Sequence, residues 1–238
     1  MTNIGYLELI KSNKEFRRLW SASVISMLGE WFNTIALFLL IFEYTDSEFL
    51  LGVLFTVRML CFALLQPISG LLADRMNRKH IMIASNVLQV FLALCFLGVN
   101  GSEDIWWMLA LSGVMMLLHG AYVTAERAAL PNIVPEEHLA TANALDAASW
   151  SSALCIGAML GGVVVEFYGV DAAFIIDSLT FLLSAILLIP IKLPQTVGDE
   201  MKGPLFSTAA SNIKNGLRRI LDESCLLYTS DAADDSLR

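Results

Sequence analysis

The sequence predicts an all-α membrane protein with six transmembrane helices, and three observations carry that prediction. Hydrophobic residues fill 56% of the 238 positions and charged residues only 16%, a balance beyond that of an ordinary soluble domain. Six apolar runs of about 20 residues succeed one another, each long enough to cross a ~30 Å hydrocarbon core as a helix. Apart from Arg58 inside a span and Arg238 at the extreme end, the other thirteen of the fifteen Lys and Arg lie before the first run, after the last, or in alternate connections. By the positive-inside rule that arrangement makes both ends cytoplasmic.

The elements follow in order. Residues 1–18, with Leu7, Ile10 and Phe16 among Lys11, Lys14, Arg17 and Arg18, read as an amphipathic lead-in on the inner membrane surface. This stretch does not resemble a cleavable signal, so the first span is expected to be retained. The predicted six-helix bundle, 19–191, has spans at about Leu19–Phe42, Phe49–Ala73, His80–Val99, Ile105–Val123, Leu145–Phe167 and Ala172–Ile191. Loops Glu43–Glu48, Asn100–Asp104 and Tyr168–Asp171 carry no cation and are assigned outside. Glu126–Thr141, with Pro131 and Pro135, is predicted to be a cytoplasmic loop in which Val134–Leu139 opens a short surface helix.

Beyond Pro190 and Pro194 the chain turns polar. Residues 192–224 are expected to begin a central cytoplasmic loop, with an amphipathic helix over Ser207–Leu221. The stretch Cys225–Asp234 looks like a translated adaptor of the kind used in transposase-based sequencing libraries. Residues 225–238 are therefore expected to be read-through, and are left out of the fold prediction.

Several function classes lose support at this level. The net charge of −8 is sorted by position, and no basic footprint for nucleic acid exists. Cys61, Cys95 and Cys155 sit inside apolar runs with no ligand or CxxC spacing, and His80, His119 and His138 are scattered singly. Neither a metal site nor a cofactor is expected. No Ser-His-Asp or phosphate-cradling constellation supports a membrane-embedded enzyme, so the chain is read as a non-enzyme.

The densest chemical signal is Gly70–Lys79, where Gly70, Asp74, Arg75, Asn77, Arg78 and Lys79 lie between two spans. The pattern Gly-x-x-x-Asp-Arg-x-x-Arg-Lys resembles the signature loop of the major facilitator superfamily, with Asn77 where that family usually has Gly. Asn tolerates left-handed backbone, so the turn is expected to survive the change. Gly70 would let another helix approach closely, and Asp74 at a helix C-terminus needs a compensating partner, which suits a conformational latch. Further stretches, Asn13–Trp20, Leu28–Phe32, Arg127–Pro135 and Ala142–Leu145, look like the bacterial efflux subgroup that includes enterobactin-type siderophore and macrolide exporters. Gly157, Gly161 and Gly162 resemble the end of that family's antiporter motif, with Ala158 where proline is expected.

Two charges lie deepest. Glu30, ten residues beyond Trp20, and Arg58, nine beyond Phe49 on the returning helix, both arrive near the midplane, about 15 Å in. Groups so costly in lipid face a cavity or each other. Glu30 is expected to take up and release a proton while Arg58 responds to its charge state. Asp177, placed about 8 Å below the outer surface, and Trp31 are candidates for lining the same cavity. Trp106 and Trp107 read as interfacial anchors, and Phe32, Met115 and Met116 as core or cavity lining.

The resemblance implies the N-terminal six-helix bundle of a twelve-helix fold in the bacterial inner membrane. It further implies proton-coupled efflux of amphipathic small molecules by alternating access against a missing C-terminal half. The partners are then the bilayer, the substrate and protons. A lysophospholipid or other lipid transporter of the same superfamily is the alternative, and the chain in isolation is expected to be inactive because half a transporter encloses no cavity.

Overall fold

The computed structural model of the protein describes residues 5–194, which fall within one compact unit. The helix expected over Ser207–Leu221, the loop beyond Pro194 and the adaptor-like tail lie outside the described residues. Those described form seven α-helices: α1 Tyr6–Ser12, α2 Lys14–Thr45, α3 Glu48–Arg75, α4 Arg78–Cys95, α5 Ile105–Ile133, α6 Leu139–Tyr168 and α7 Val170–Leu188. From α2 onward all six are long and apolar enough to cross a membrane.

Local chemistry sets the boundaries. Asn13 is extended, its side chain accepts from the Phe16 N–H, and it thereby ends α1 and caps α2. Lys14–Arg18 consequently belong to the first spanning helix instead of a surface lead-in. In α1 the buried residue is Leu9, whereas Leu7 is exposed. Leu9 packs with Phe16, Val134 and Ala142, an apolar cluster that fastens α1 to the end of the bundle where α2 begins. Asp46, in the left-handed region at φ 49, ends α2, and the Ser47 hydroxyl caps α3.

The predicted loop Glu126–Thr141 is mostly helix. Helix α5 runs ten residues past Val123 and carries Pro131 inside its last turns. A proline there forfeits one backbone hydrogen bond, but Tyr122, Ala125 and Ala129 are buried against Leu19, Ala22, Met82 and Leu188. That packing outweighs a single lost bond. The surface helix expected at Val134–Leu139 is one 3-10 turn, Glu136–His138, leading straight into α6 at Leu139.

Helix α2 packs most extensively on α7 and then on α6, α7 also meets α4, α4 meets α5, and α5 meets α3. Helices α3 and α6 thus stand at the two ends of this series and are the least buried spans. Two apolar cores stack along the bundle. One, which we call the outer core after the orientation expected from the cation distribution, includes Leu37, Phe96, Met108 and Phe174, and the other Leu19, Met82, Ala129 and Leu188. Buried polar groups, among them Ser26, Asn86, Gln89 and Ser184, concentrate where the two cores meet.

Candidate functional site

Around the middle of the bundle α2 and α5 bring three polar side chains onto the Arg58 guanidinium of α3. Glu30 on α2 meets Arg58 on α3, with Oε1 3.3 Å from Nη2. The same Nη2 donates to Thr34 Oγ1 at 3.0 Å, and Nη1 donates to Ser112 Oγ on α5 at 3.1 Å. Thr34 lies one turn beyond Glu30 and donates to its carbonyl at 2.8 Å, so the two share one helix face. The second Glu30 oxygen, Oε2, lies 3.2 Å from His119 Nδ1. Ser112 and His119 are seven residues apart on α5, two turns along a single stripe, and Phe62 of α3 packs on the His119 ring at 5.9 Å.

The exposures give the members different roles. Arg58 is 6% exposed and Glu30 20%, so the carboxylate is reachable and the cation is not. Arg58 is a fixed positive charge, held by three acceptors in the fork geometry that guanidinium suits. Glu30 is the acceptor between that cation and an imidazole. Arg58→Met would strip Glu30 of its cation and is expected to destabilise the folded bundle by about 3 kcal/mol, since breaking a buried pair leaves an uncompensated charge. Thermal unfolding of purified protein in detergent checks this, and an unchanged midpoint would contradict it.

The other residues singled out in the sequence are dispersed around this centre. Asp177 on α7 is fully buried and stands against Gly29, beside Glu30. Trp31 and Phe32 pack on α6: a Cβ built on Gly157 would lie 2.7 Å from the Trp31 Cβ, and one on Gly161 3.3 Å from the Phe32 Cα. The Gly-x-x-x-Gly spacing therefore lets α6 close on α2, while Gly162 faces open space. Met115 and Met116 are buried core residues, and Trp106 and Trp107 are exposed.

In the Gly70–Lys79 segment Asn77 is extended, at φ −66 and ψ 115, and its side chain accepts from the Lys79 N–H. The turn needs no left-handed residue, and Asn77 serves as the cap of α4. Arg78 donates to the Ala128 carbonyl at 2.6 Å and the Ala73 carbonyl at 3.2 Å, joining α3 to α5. Lys79 donates to the carbonyls of Ile189 and Ile191 at the C-terminal end of α7, where a cation is favoured. Asp74 is half exposed, 3.9 Å from Arg78, Arg75 closes α3, and no side chain of the described residues lies against Gly70.

Sequence reasoning missed His119, Thr34 and Ser112. The available signal was a count of polar residues inside the spans at the depth of Glu30. It also missed a cluster nearer the start of α2, where Ser23 donates to Glu126 and pairs with Tyr122. Glu126 there lines a small cleft with Trp20, Arg127, Asn143 and Asp146. Trp20 is fixed in it by donation to Ser149 at 2.8 Å.

A profile of the Major Facilitator Superfamily matches residues 19–228. Among curated proteins the chain is similar to an uncharacterized MFS-type transporter of Bacillus subtilis, 29% identical over 213 residues, which covers 88% of this chain and 50% of that one. It is also similar to a multi-drug resistance efflux pump homolog of Lactococcus lactis, 28% identical over 144 residues, 60% of this chain and 35% of the relative. A macrolide efflux protein of Streptococcus pyogenes is 20% identical over 190 residues, 79% of this chain and 47% of its own. The chain thus spans about half the length, or less, of these relatives. No solved structure matches it significantly. With six spanning helices and a profile match over most of its length, the chain belongs to the Major Facilitator Superfamily.

Proposed function

We propose that this bundle is the N-terminal half of a bacterial inner-membrane exporter that moves amphipathic small molecules outward in exchange for protons. The observation that carries the reading is Glu30, a partly exposed carboxylate near mid-bundle, held between Arg58 and His119. Relatives named for multidrug and macrolide efflux support the substrate class. In the proposed cycle a proton on Glu30 cancels its attraction to Arg58, which keeps its bonds to Thr34 and Ser112. The helices then no longer prefer one arrangement, and the bundle rocks against a second bundle around a midplane cavity.

The open faces of α3 and α6 suit contact with that second bundle, and Asp74, half exposed, suits a latch closing on it. Both chain ends are assigned to the cytoplasm from the cation distribution. On this reading the 238-residue chain alone transports nothing. The test uses the full-length protein in everted membrane vesicles, with a lipophilic cationic dye and a macrolide as probes. An imposed pH gradient is expected to drive uptake of at least one, abolished by a protonophore. Uptake of neither, or uptake indifferent to the protonophore, would contradict the reading.

A further inference from the structure

Asp177 is fully buried, between Phe174 and Phe181 on an α7 face that belongs to the outer apolar core. Neither carboxyl oxygen has a hydrogen-bond partner among the described residues. The Thr180 hydroxyl is spent on Asp177's own backbone carbonyl, at 2.7 Å. Asn33, equally buried, is the neutral hydrogen-bonding side chain turned to that carboxyl, but the pair makes no bond of ordinary geometry. Gly29 makes the room, since a Cβ there would lie 2.9 Å from Asp177 Oδ1.

The charges around Asp177 come from several helices. Helix α2 brings Glu30 and α3 brings Arg58, both within electrostatic reach. Helix α5 adds His119 on the far side of Glu30, and α4 meets α7 with the neutral Asn86 on Ser184. The charges of α6, Asp146 and Glu166, lie about three turns before Gly157 and about one and a half turns after Gly161. Two carboxyls therefore face one guanidinium, and the cluster reaches neutrality only with one bound proton. Glu30 has Arg58 and His119 as donors and some access to solvent, whereas Asp177 has only the neutral Asn33 beside it and no access to solvent. An ionised carboxyl without a bonded cation or water is among the costliest groups to keep in an apolar interior.

We propose that Asp177 is a second proton-binding site of the bundle, and that one proton passes between its carboxyl and the Glu30–His119 pair. The O–H bond broken at Asp177 is matched by an O–H formed on Glu30 or an N–H on His119. The charge of the cluster changes only when the proton leaves for water at Glu30, its exposed member. The use of this transfer in transport rests on the exporter reading, but the resting place of the proton does not.

Infrared spectroscopy of the full-length protein in liposomes at neutral pH tests the site. The wild type minus Asp177→Asn difference spectrum should contain a carboxylic-acid C=O band, and the wild type minus Glu30→Gln spectrum only carboxylate bands. If Asp177→Asn does not fold, wild type grown with isotope-labelled aspartate should show a shifted acid band. A carboxylate band for Asp177, or no aspartate acid band in the wild type, overturns the proposal. So does a sodium-dependent rise in melting temperature without an acid band, which would put a cation there instead. Absence of proton-coupled efflux from the wild type would refute the exporter reading while leaving the band test intact.

Discussion

Glu30→Gln is expected to reduce pH-gradient-driven efflux by the full-length protein to the level of membranes lacking it, with protein abundance little changed. Glutamine keeps the shape of the side chain and an oxygen for Arg58, which also retains Thr34 and Ser112. What it removes is the only partly exposed carboxylate of the mid-bundle cluster, and with it the site where a proton enters or leaves. Arg58 then faces a group of constant charge, and neither arrangement of the helices is favoured by a pH gradient. Efflux assayed with quantified membrane protein separates this loss from misfolding. Undiminished efflux by Glu30→Gln would contradict the role given to it.

The second large effect lies in packing. A Cβ on Gly29 would sit 1.8 Å from Thr180 Oγ1 and 2.9 Å from both Thr180 Cβ and Asp177 Oδ1. Rotating the Thr180 hydroxyl away relieves only the first of these, so α2 and α7 must part along their contact. Gly29→Val adds two methyl groups to that clash, and overpacking of a close interface costs about 1–3 kcal/mol or more. The expected result is a purified protein whose melting midpoint drops sharply or which fails to accumulate. Thr180→Gly combined with Gly29→Ala should recover much of the loss, because of the three close contacts only that with Asp177 Oδ1 then remains. A Gly29→Val protein as stable as wild type would mean that α2 and α7 are not in the contact described.

The six spans were legible because a bilayer imposes a length and an apolarity that few other structures satisfy. That Glu30 and Arg58 lie at one level was legible as well, since both are counted along helices of known rise. The contact of Asp177 with α2 at Gly29 was not, because a count along one helix does not report which neighbour it packs on. His119 could not be weighed alone; its meaning depends on α5 turning one stripe toward Glu30. Pro131 was overvalued as a terminator, because sequence rules price its missing N–H but not the buried Ala125 and Ala129 beside it. Asn77 was assigned the tolerance of left-handed backbone that a glycine substitute would need, whereas the structure uses it as a helix cap.

The most direct measurement of the central claim places the full-length protein in liposomes loaded with a pH-sensitive dye and adds substrate outside. Inward movement of substrate down its gradient should drive protons out and alkalinise the lumen in the wild type, with no pH change in Glu30→Gln. Substrate entry without alkalinisation in the wild type, or equal alkalinisation in both proteins, would contradict the account.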